Sequence, residues 1–128
     1  MNDLTVVLLC HDRPKTAVEA INSVIRQSSN NFDFLVSDNS TNAELQEILK
    51  ADFPTIKTIF WKPDNSSYFD HFNKIISHIE TKYITLLHDD DILDPNYVMK
   101  ILEQFQETSD VAAVATNGYY IDLQNRKV

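Results

Sequence analysis

Glycine is almost missing: the 128 residues contain one, Gly118. A dinucleotide-binding G-x-G-x-x-G needs three glycines and a G-x-x-x-x-G-K-[ST] phosphate loop needs two. Neither can be built, so any phosphorylated ligand has to be held without a glycine cradle. Cysteine is as scarce. Cys10 stands alone, which excludes an internal disulfide and a cysteine-rich metal site. Positive charge is also short, with 11 Lys and Arg against 19 Asp and Glu and a net charge of −8. Phosphate backbones and anionic lipid repel such a surface, and no Lys/Arg cluster offsets it, so nucleic acid is not an expected partner. No apolar run approaches the length of a membrane span, about 18 residues. The N-terminus lacks the charged start and cleavage site of a signal peptide, so the expected compartment is the cytoplasm.

What is present is a core. Apolar residues make up 43% of the chain, with 7 Phe and 5 Tyr, which excludes disorder. The length suits one domain spanning 1–128. Short β-rich apolar runs recur at Leu4 to Leu9, Phe32 to Ser37, Ile56 to Trp61, Tyr83 to Leu87 and Val111 to Ala115. The interval is that of a strand, a helix and two loops. Tyr119 to Leu123 is a candidate for one more strand. Helices are expected between the runs. The first opens at Pro14, with Ala17, Ala20, Ile21, Val24 and Ile25 on one face. The second is short, near Ala43 to Leu49. The third carries Phe69, Phe72, Ile75, Ile76 and Ile79 at helical spacing, and the fourth follows Asp94-Pro95, an N-cap and N1 proline, with Val98, Ile101, Leu102 and Phe105 apolar. Alternating strands and helices predict an α/β fold: a doubly wound, mostly parallel sheet flanked by helices.

Ligands of such sheets bind beyond the carboxyl ends of the strands. The residues there are Cys10-His11-Asp12-Arg13, Asp38-Asn39-Ser40, Lys62-Pro63-Asp64-Asn65 and His88-Asp89-Asp90-Asp91. Asp89-Asp90-Asp91 is the sharpest feature. Adjacent carboxylates repel unless something positive lies near. Mg²⁺ is typically held by one or two carboxylates plus substrate phosphates. The strand before the triplet is expected to be central, aiming it at the binding crevice; the plain alternative is a solvated loop in which Asp91 or Asp94 caps the next helix. Asp38 reads either as turn chemistry or as a contact to a base or ribose. Cys10 reads as a small packing residue rather than a nucleophile. His11 reads equally as a ring stacked on a base or as a strand-end cap. His88 reads as a metal ligand or as the partner of a neighbouring acid. Lys62 and Arg13 read as surface charges.

Four segments together resemble glycosyltransferase family 2. Val6-Val7-Leu8-Leu9-Cys10-His11-Asp12-Arg13-Pro14 is similar to the family's opening strand and its Pro-Thr-Tyr-Asn-Arg-like turn. Ala20-Ile21-Asn22-Ser23-Val24-Ile25-Arg26-Gln27 is similar to the helix that follows, and Phe32-Asp33-Phe34-Leu35-Val36-Ser37-Asp38-Asn39-Ser40 to the strand that ends in an acid and a serine. The stretch from Tyr83 to Pro95, with His88-Asp89-Asp90, resembles the D-x-D region.

The resemblance implies a GT-A, Rossmann-like nucleotide-diphospho-sugar transferase fold. It implies transfer of a sugar from a nucleotide-diphospho-sugar, a UDP-sugar by family weight, to a saccharide or lipid-linked acceptor in polysaccharide biosynthesis. Carried over position by position, Cys10, His11 and Asp38 would hold the base. Asp89 would contact the ribose, and Asp90 would carry Mg²⁺ or Mn²⁺ against the diphosphate. The departures are Leu9 for proline, Asp12 for asparagine, His88 for the first D-x-D acid, and Asn65-Ser66-Ser67 without the glycine and arginine often found there. In inverting members the general base lies in the acceptor half, beyond residue 128, so no catalytic base is assigned and the chain is expected to be the N-terminal donor-binding part of a longer enzyme. Two other classes compete. One is a non-catalytic nucleotide-binding or assembly domain on the same fold. The other is a receiver-like Mg²⁺-binding signalling domain, which Trp61-Lys62-Pro63 and Thr116-Asn117-Gly118 do not fit, lacking the phospho-accepting Asp and the Lys.

Overall fold

A computed structural model describes residues 2–62, 67–108 and 110–128. The positions 63–66 in the predicted loops after Trp61 therefore lie outside the described residues. Among the described residues the chain runs β1 (Leu4–Cys10), α1 (Pro14–Ile25), β2 (Asp33–Asp38), α2 (Glu44–Asp52), β3 (Lys57–Phe60), α3 (Tyr68–Ile76), β4 (Tyr83–His88) and α4 (Tyr97–Glu107). The strands form one parallel sheet in the order β3-β2-β1-β4.

The apolar run of β1 is explained by its place. All seven of its residues are buried, because neighbouring strands flank it and helices cover both faces. Leu4, Val6, Leu8 and Cys10 share one core with Ala17, Ala20, Ile21 and Val24 of α1, Leu45 and Leu49 of α2, and Val98 and Leu102 of α4. Val7 and Leu9 point the other way and pack with Leu35 and with Ile75 of α3. This alternation is the pleat of a strand buried on two sides. Ala17 and Ala20 let α1 lie close to the sheet, and Pro14 opens that helix in its first turn.

Several expectations are corrected. Val111 to Ala115 forms no strand; Ala112, Ala113 and Ala115 are exposed, and alanine is a weak strand former without a surface to pack on. Tyr119 to Leu123 is reduced to an isolated antiparallel bridge, Ile121 with Lys127. In consequence β4 is an edge of the sheet and β1, with β2, is central. Third, the apolar face of α3 is only partly covered: Ile75 is buried, whereas Phe69 is 71% exposed and Ile76 is 44% exposed. Ile25 of α1 is likewise exposed. Finally, α4 starts at Tyr97, after the Asp94-Pro95 pair. Asp94 Oδ1 instead accepts the Asn96 N–H at 2.9 Å in an Asx turn. The helix N-terminus is capped from a distance: Gln27 Oε1 accepts the Val98 N–H at 2.9 Å, and the same amide donates to the carbonyls of Asp94 at 2.8 Å and Ser23 at 3.1 Å.

Candidate functional site

The strand order places the site. The chain winds outward from β1 to β2 and β3, then returns to the other side of β1 as β4. The point where the strand order reverses opens a crevice at the carboxyl ends of the strands, where ligands of open α/β sheets bind. Here that point lies between β1 and β4, with Leu9 in register with His88 and, on the other side, Cys10 in register with Asp38. A cleft of about 270 Å³ opens there, and its lining includes Cys10, His11, Arg13, Asn39, His88 and Asp89. Tyr68 and His71 of α3 close it from one side. A larger cleft of about 370 Å³ lies at the amino-terminal end of the strands, among residues 32–35, 55–57 and 78–81. Its place at the wrong end of a parallel sheet sets it apart from the candidate site.

Asp89 is the structural centre of the cleft. Its side chain is 1% exposed, and Oδ2 accepts the His11 N–H at 2.8 Å. Arg13 Nη2 lies 2.7 Å from Oδ1 as an ion pair outside hydrogen-bond alignment, so Oδ1 is buried without a hydrogen-bond partner. The other arm of the guanidinium, Nη1, holds Oδ2 of the half-exposed Asp90. Arg13 is therefore not the free surface charge that its sequence context suggests. It answers the repulsion within the acidic run.

Burial, first, raises the Asp89 carboxyl above its usual range, against the lowering effects of the His11 N–H and of Arg13 and with Asp90 adding to the rise. The folded protein thus holds this proton more tightly than the unfolded chain does. The associated stability is complete below the ordinary Asp value of about 4 and is lost as pH rises through the higher folded value. Asp89→Asn removes that loss. It is expected to melt at or above the wild-type temperature at pH 7, an advantage that disappears below about pH 4. Thermal melts across this range check the sign; an Asn variant markedly less stable at pH 7 contradicts it.

Asp38 is also buried, at 1% exposure. Oδ1 accepts both the N–H of Ser40, at 3.0 Å, and its hydroxyl. That is the turn chemistry anticipated for Asp-Asn-Ser. It uses only one oxygen, since Oδ2 is buried and has no hydrogen-bond partner among the described residues. Cys10 is buried. Burial, and then the charges of Asp89 and Asp38, push its thiol far up, so it stays protonated and is no nucleophile. The His11 ring is half-exposed and its Nδ1 faces two oxygens of Asn39 at 3.1 and 3.0 Å. It ties the turn after β1 to the turn after β2. His88 stacks on Tyr68, with ring centroids 5.3 Å apart and Nε2 3.3 Å from the Tyr68 hydroxyl.

The residues named in advance, Cys10, His11, Asp38, Asp89 and Asp90, thus gather at one end of three strands. Arg13, Tyr68 and His71 were not foreseen. His71 is buried, and its Nε2 lies 2.7 Å from Ser37 Oγ, which also accepts the Trp61 Nε1–H at 2.9 Å. No local pattern marks that histidine, because its partners come from β2 and the segment after β3.

Among the described residues no three His, Cys, Asp or Glu side chains are grouped to hold a metal ion. The half-exposed carboxylate of Asp90 is the kind of oxygen donor that a hard divalent cation takes together with phosphate oxygens and water.

The family model described as glycosyl transferase family 2 matches residues 5–127. An uncharacterised glycosyltransferase of Methanocaldococcus jannaschii is 28% identical over 123 residues, covering 93% of this chain and 42% of the relative. An uncharacterised glycosyltransferase of Haemophilus influenzae is 27% identical over 124 residues, covering 94% of this chain and 37% of the relative. The chain thus spans about two fifths of the length of these relatives. Among solved structures, S. aureus TarS 1-349 in complex with UDP-GlcNAc superposes with a TM-score of 0.71 at 19% identity, over 84% of this chain and 32% of that one. A mannosyltransferase of Pyrobaculum calidifontis in complex with GDP-Man and Mn²⁺ gives 0.68 at 11% identity, over 80% of this chain and 32% of that one.

Proposed function

Since the chain belongs to glycosyl transferase family 2 and carries the GT-A fold, we propose that it is the donor-binding part of an enzyme that moves a sugar from a nucleoside-diphosphate sugar to an acceptor hydroxyl. One observation carries the reading. Among the described residues Asp38 Oδ2, at the end of β2, is a buried carboxylate oxygen without a hydrogen-bond partner, and Asp89 Oδ1, after β4 on the other side of β1, has only the Arg13 ion pair. A buried acceptor left unsatisfied costs about 1–3 kcal/mol. A nucleoside supplies the missing donors, a base N–H for Asp38 and a ribose hydroxyl for Asp89.

His11 and Cys10 border the base, and Asp90 faces the diphosphate. A divalent cation, Mg²⁺ or Mn²⁺, would neutralise the diphosphate leaving group as the sugar departs. The chain itself orients the donor and keeps water from it. A UDP-sugar is the proposed donor, and a saccharide or lipid-linked hydroxyl of polysaccharide biosynthesis the proposed acceptor. The base that takes the acceptor's proton is assigned to the part of a longer enzyme beyond these residues. Among the described residues no helix is long and apolar enough to cross a membrane.

Calorimetry with UDP, in Mn²⁺ and in EDTA, tests this reading, with GDP and dTDP as competitors for the base site. Expected is saturable UDP binding at least tenfold tighter in Mn²⁺. A folded sample that binds no nucleoside diphosphate overturns it in favour of a non-catalytic assembly domain.

A further inference from the structure

Arg13 raises a question that the donor reading does not answer. Its guanidinium already sits where a cation is wanted, with one arm on Asp89 Oδ1 and the other on Asp90 Oδ2. The Asp90 oxygen it holds is one that a divalent ion would coordinate. Two carboxylates and one guanidinium leave a formal charge of −1, enough for one further positive charge but a poor match to a bare divalent ion held against a fixed guanidinium. A diphosphate changes the balance. It brings further negative charge and several oxygens, which the planar guanidinium fork binds as readily as a carboxylate.

We propose that Arg13 is a resident cation that closes Asp90 to a divalent ion until a nucleoside diphosphate arrives, so that metal and nucleotide bind as a pair. This rests on the donor-binding reading above. On arrival of the diphosphate, Arg13 keeps its place beside the buried Asp89 and turns its outer arm from Asp90 to a phosphate oxygen. Asp90 is then open to the metal.

The local architecture suits such a swing. The backbone at the base of Arg13 is pinned. Asp12 has a left-handed φ of 53°, and its carboxylate accepts the Thr41 N–H at 2.7 Å and the Thr41 hydroxyl at 2.8 Å. The Asp12 N–H donates to Ser40 Oγ at 2.9 Å. The Arg13 carbonyl accepts the Ala17 N–H at 3.0 Å, closing the first turn of α1. In contrast, the Arg13 side chain is half-exposed, and Asp90 is 49% exposed. The inner contact is buried and the outer one faces solvent. Only the outer one has to break. The cleft lining includes no other Lys or Arg among the described residues.

The test reads metal binding directly, without activity. Loss of the free Mn²⁺ electron paramagnetic resonance signal is titrated for the wild type, Arg13→Gln and Arg13→Lys, each with and without UDP. Expected in the absence of UDP is Mn²⁺ binding about tenfold tighter to Arg13→Gln than to the wild type. UDP is expected to tighten Mn²⁺ about tenfold less in Arg13→Gln than in the wild type, because the variant's site is already open and only the direct contact of metal with diphosphate still couples the ligands. Arg13→Lys, which keeps the charge but not the fork, is expected to remain as closed to Mn²⁺ alone as the wild type. Asp90→Asn placed in either background abolishes the Mn²⁺ site.

The inference is overturned if Arg13→Gln binds Mn²⁺ alone no better than the wild type, or if UDP tightens Mn²⁺ equally in both. Weaker Mn²⁺ binding by Arg13→Gln makes Arg13 a mere positioner of the two acids and also overturns it. The two failures are distinguishable. Loss of UDP binding by the wild type refutes the donor reading, whereas UDP binding that strengthens with Mn²⁺ in every variant alike refutes the Arg13 device alone.

Discussion

Asp90→Asn is expected to lower the affinity for UDP in Mn²⁺ by about 100-fold, or about 2.7 kcal/mol, while leaving the affinity in EDTA within about threefold. The separation follows from where the side chain sits. Asp90 is half-exposed and its partner in the structure is the Arg13 arm. A solvent-facing ion pair of this kind contributes about 0–1 kcal/mol to folding, so the variant folds and its melting temperature changes little. What it loses is a hard anionic oxygen. An amide oxygen is a weaker ligand for a divalent cation and leaves the diphosphate charge uncompensated. Equal losses in Mn²⁺ and in EDTA would instead mean that Asp90 contacts the nucleotide directly and that the metal assignment is wrong.

Leu8→Ala is expected to cost about 3–4 kcal/mol of stability, a large share of the about 5–15 kcal/mol typical of a domain. Leu8 is fully buried in β1, between β2 and β4, in the core shared with α1, α2 and α4. Strands on both sides and helices above restrain collapse around the cavity, which puts the cost above the minimum for such truncations. Phe69→Ala is the control. It removes more carbon, yet Phe69 is 71% exposed on α3, and the expected change is within about 0.5 kcal/mol. Urea unfolding with an unchanged slope reads both values. Similar losses for the two variants would mean that α3 packs against the molecule through a different face.

The contrast between these residues shows what was legible in the sequence. Val6-Val7-Leu8-Leu9 marked a strand buried on both faces, because a run without polar alternation fits no half-exposed strand. Phe69 and Ile76 have the spacing of a buried helical face, but periodicity does not say whether anything covers that face. The edge position of β4 was hidden for a similar reason: Val111 to Ala115 has a strand-like composition but no strand is formed there. The acids at the carboxyl ends of β2 and β4 were legible as candidate site residues because parallel sheets put their ligands there. Arg13 was not. Its partners lie 76 and 77 positions away, and only the adjacency of β1 and β4 brings them together. Gln27 is the same case, since it caps α4 across 71 positions. The scarcity of glycine stayed informative throughout. Gly118 lies outside the cleft lining, and what meets the ligand end of the sheet is carboxylate and guanidinium rather than a glycine loop.

The most direct test of the donor site is a crystal structure of the chain grown with UDP and Mn²⁺, with anomalous scattering from the manganese. Expected are one manganese peak within coordination distance of an Asp90 carboxylate oxygen, the diphosphate over the β1–β4 crevice, a base N–H on Asp38 Oδ2 and a ribose hydroxyl on Asp89 Oδ1. UDP bound at the amino-terminal end of the strands, or at the crevice without contact to either of those oxygens, would contradict the assignment of the donor site.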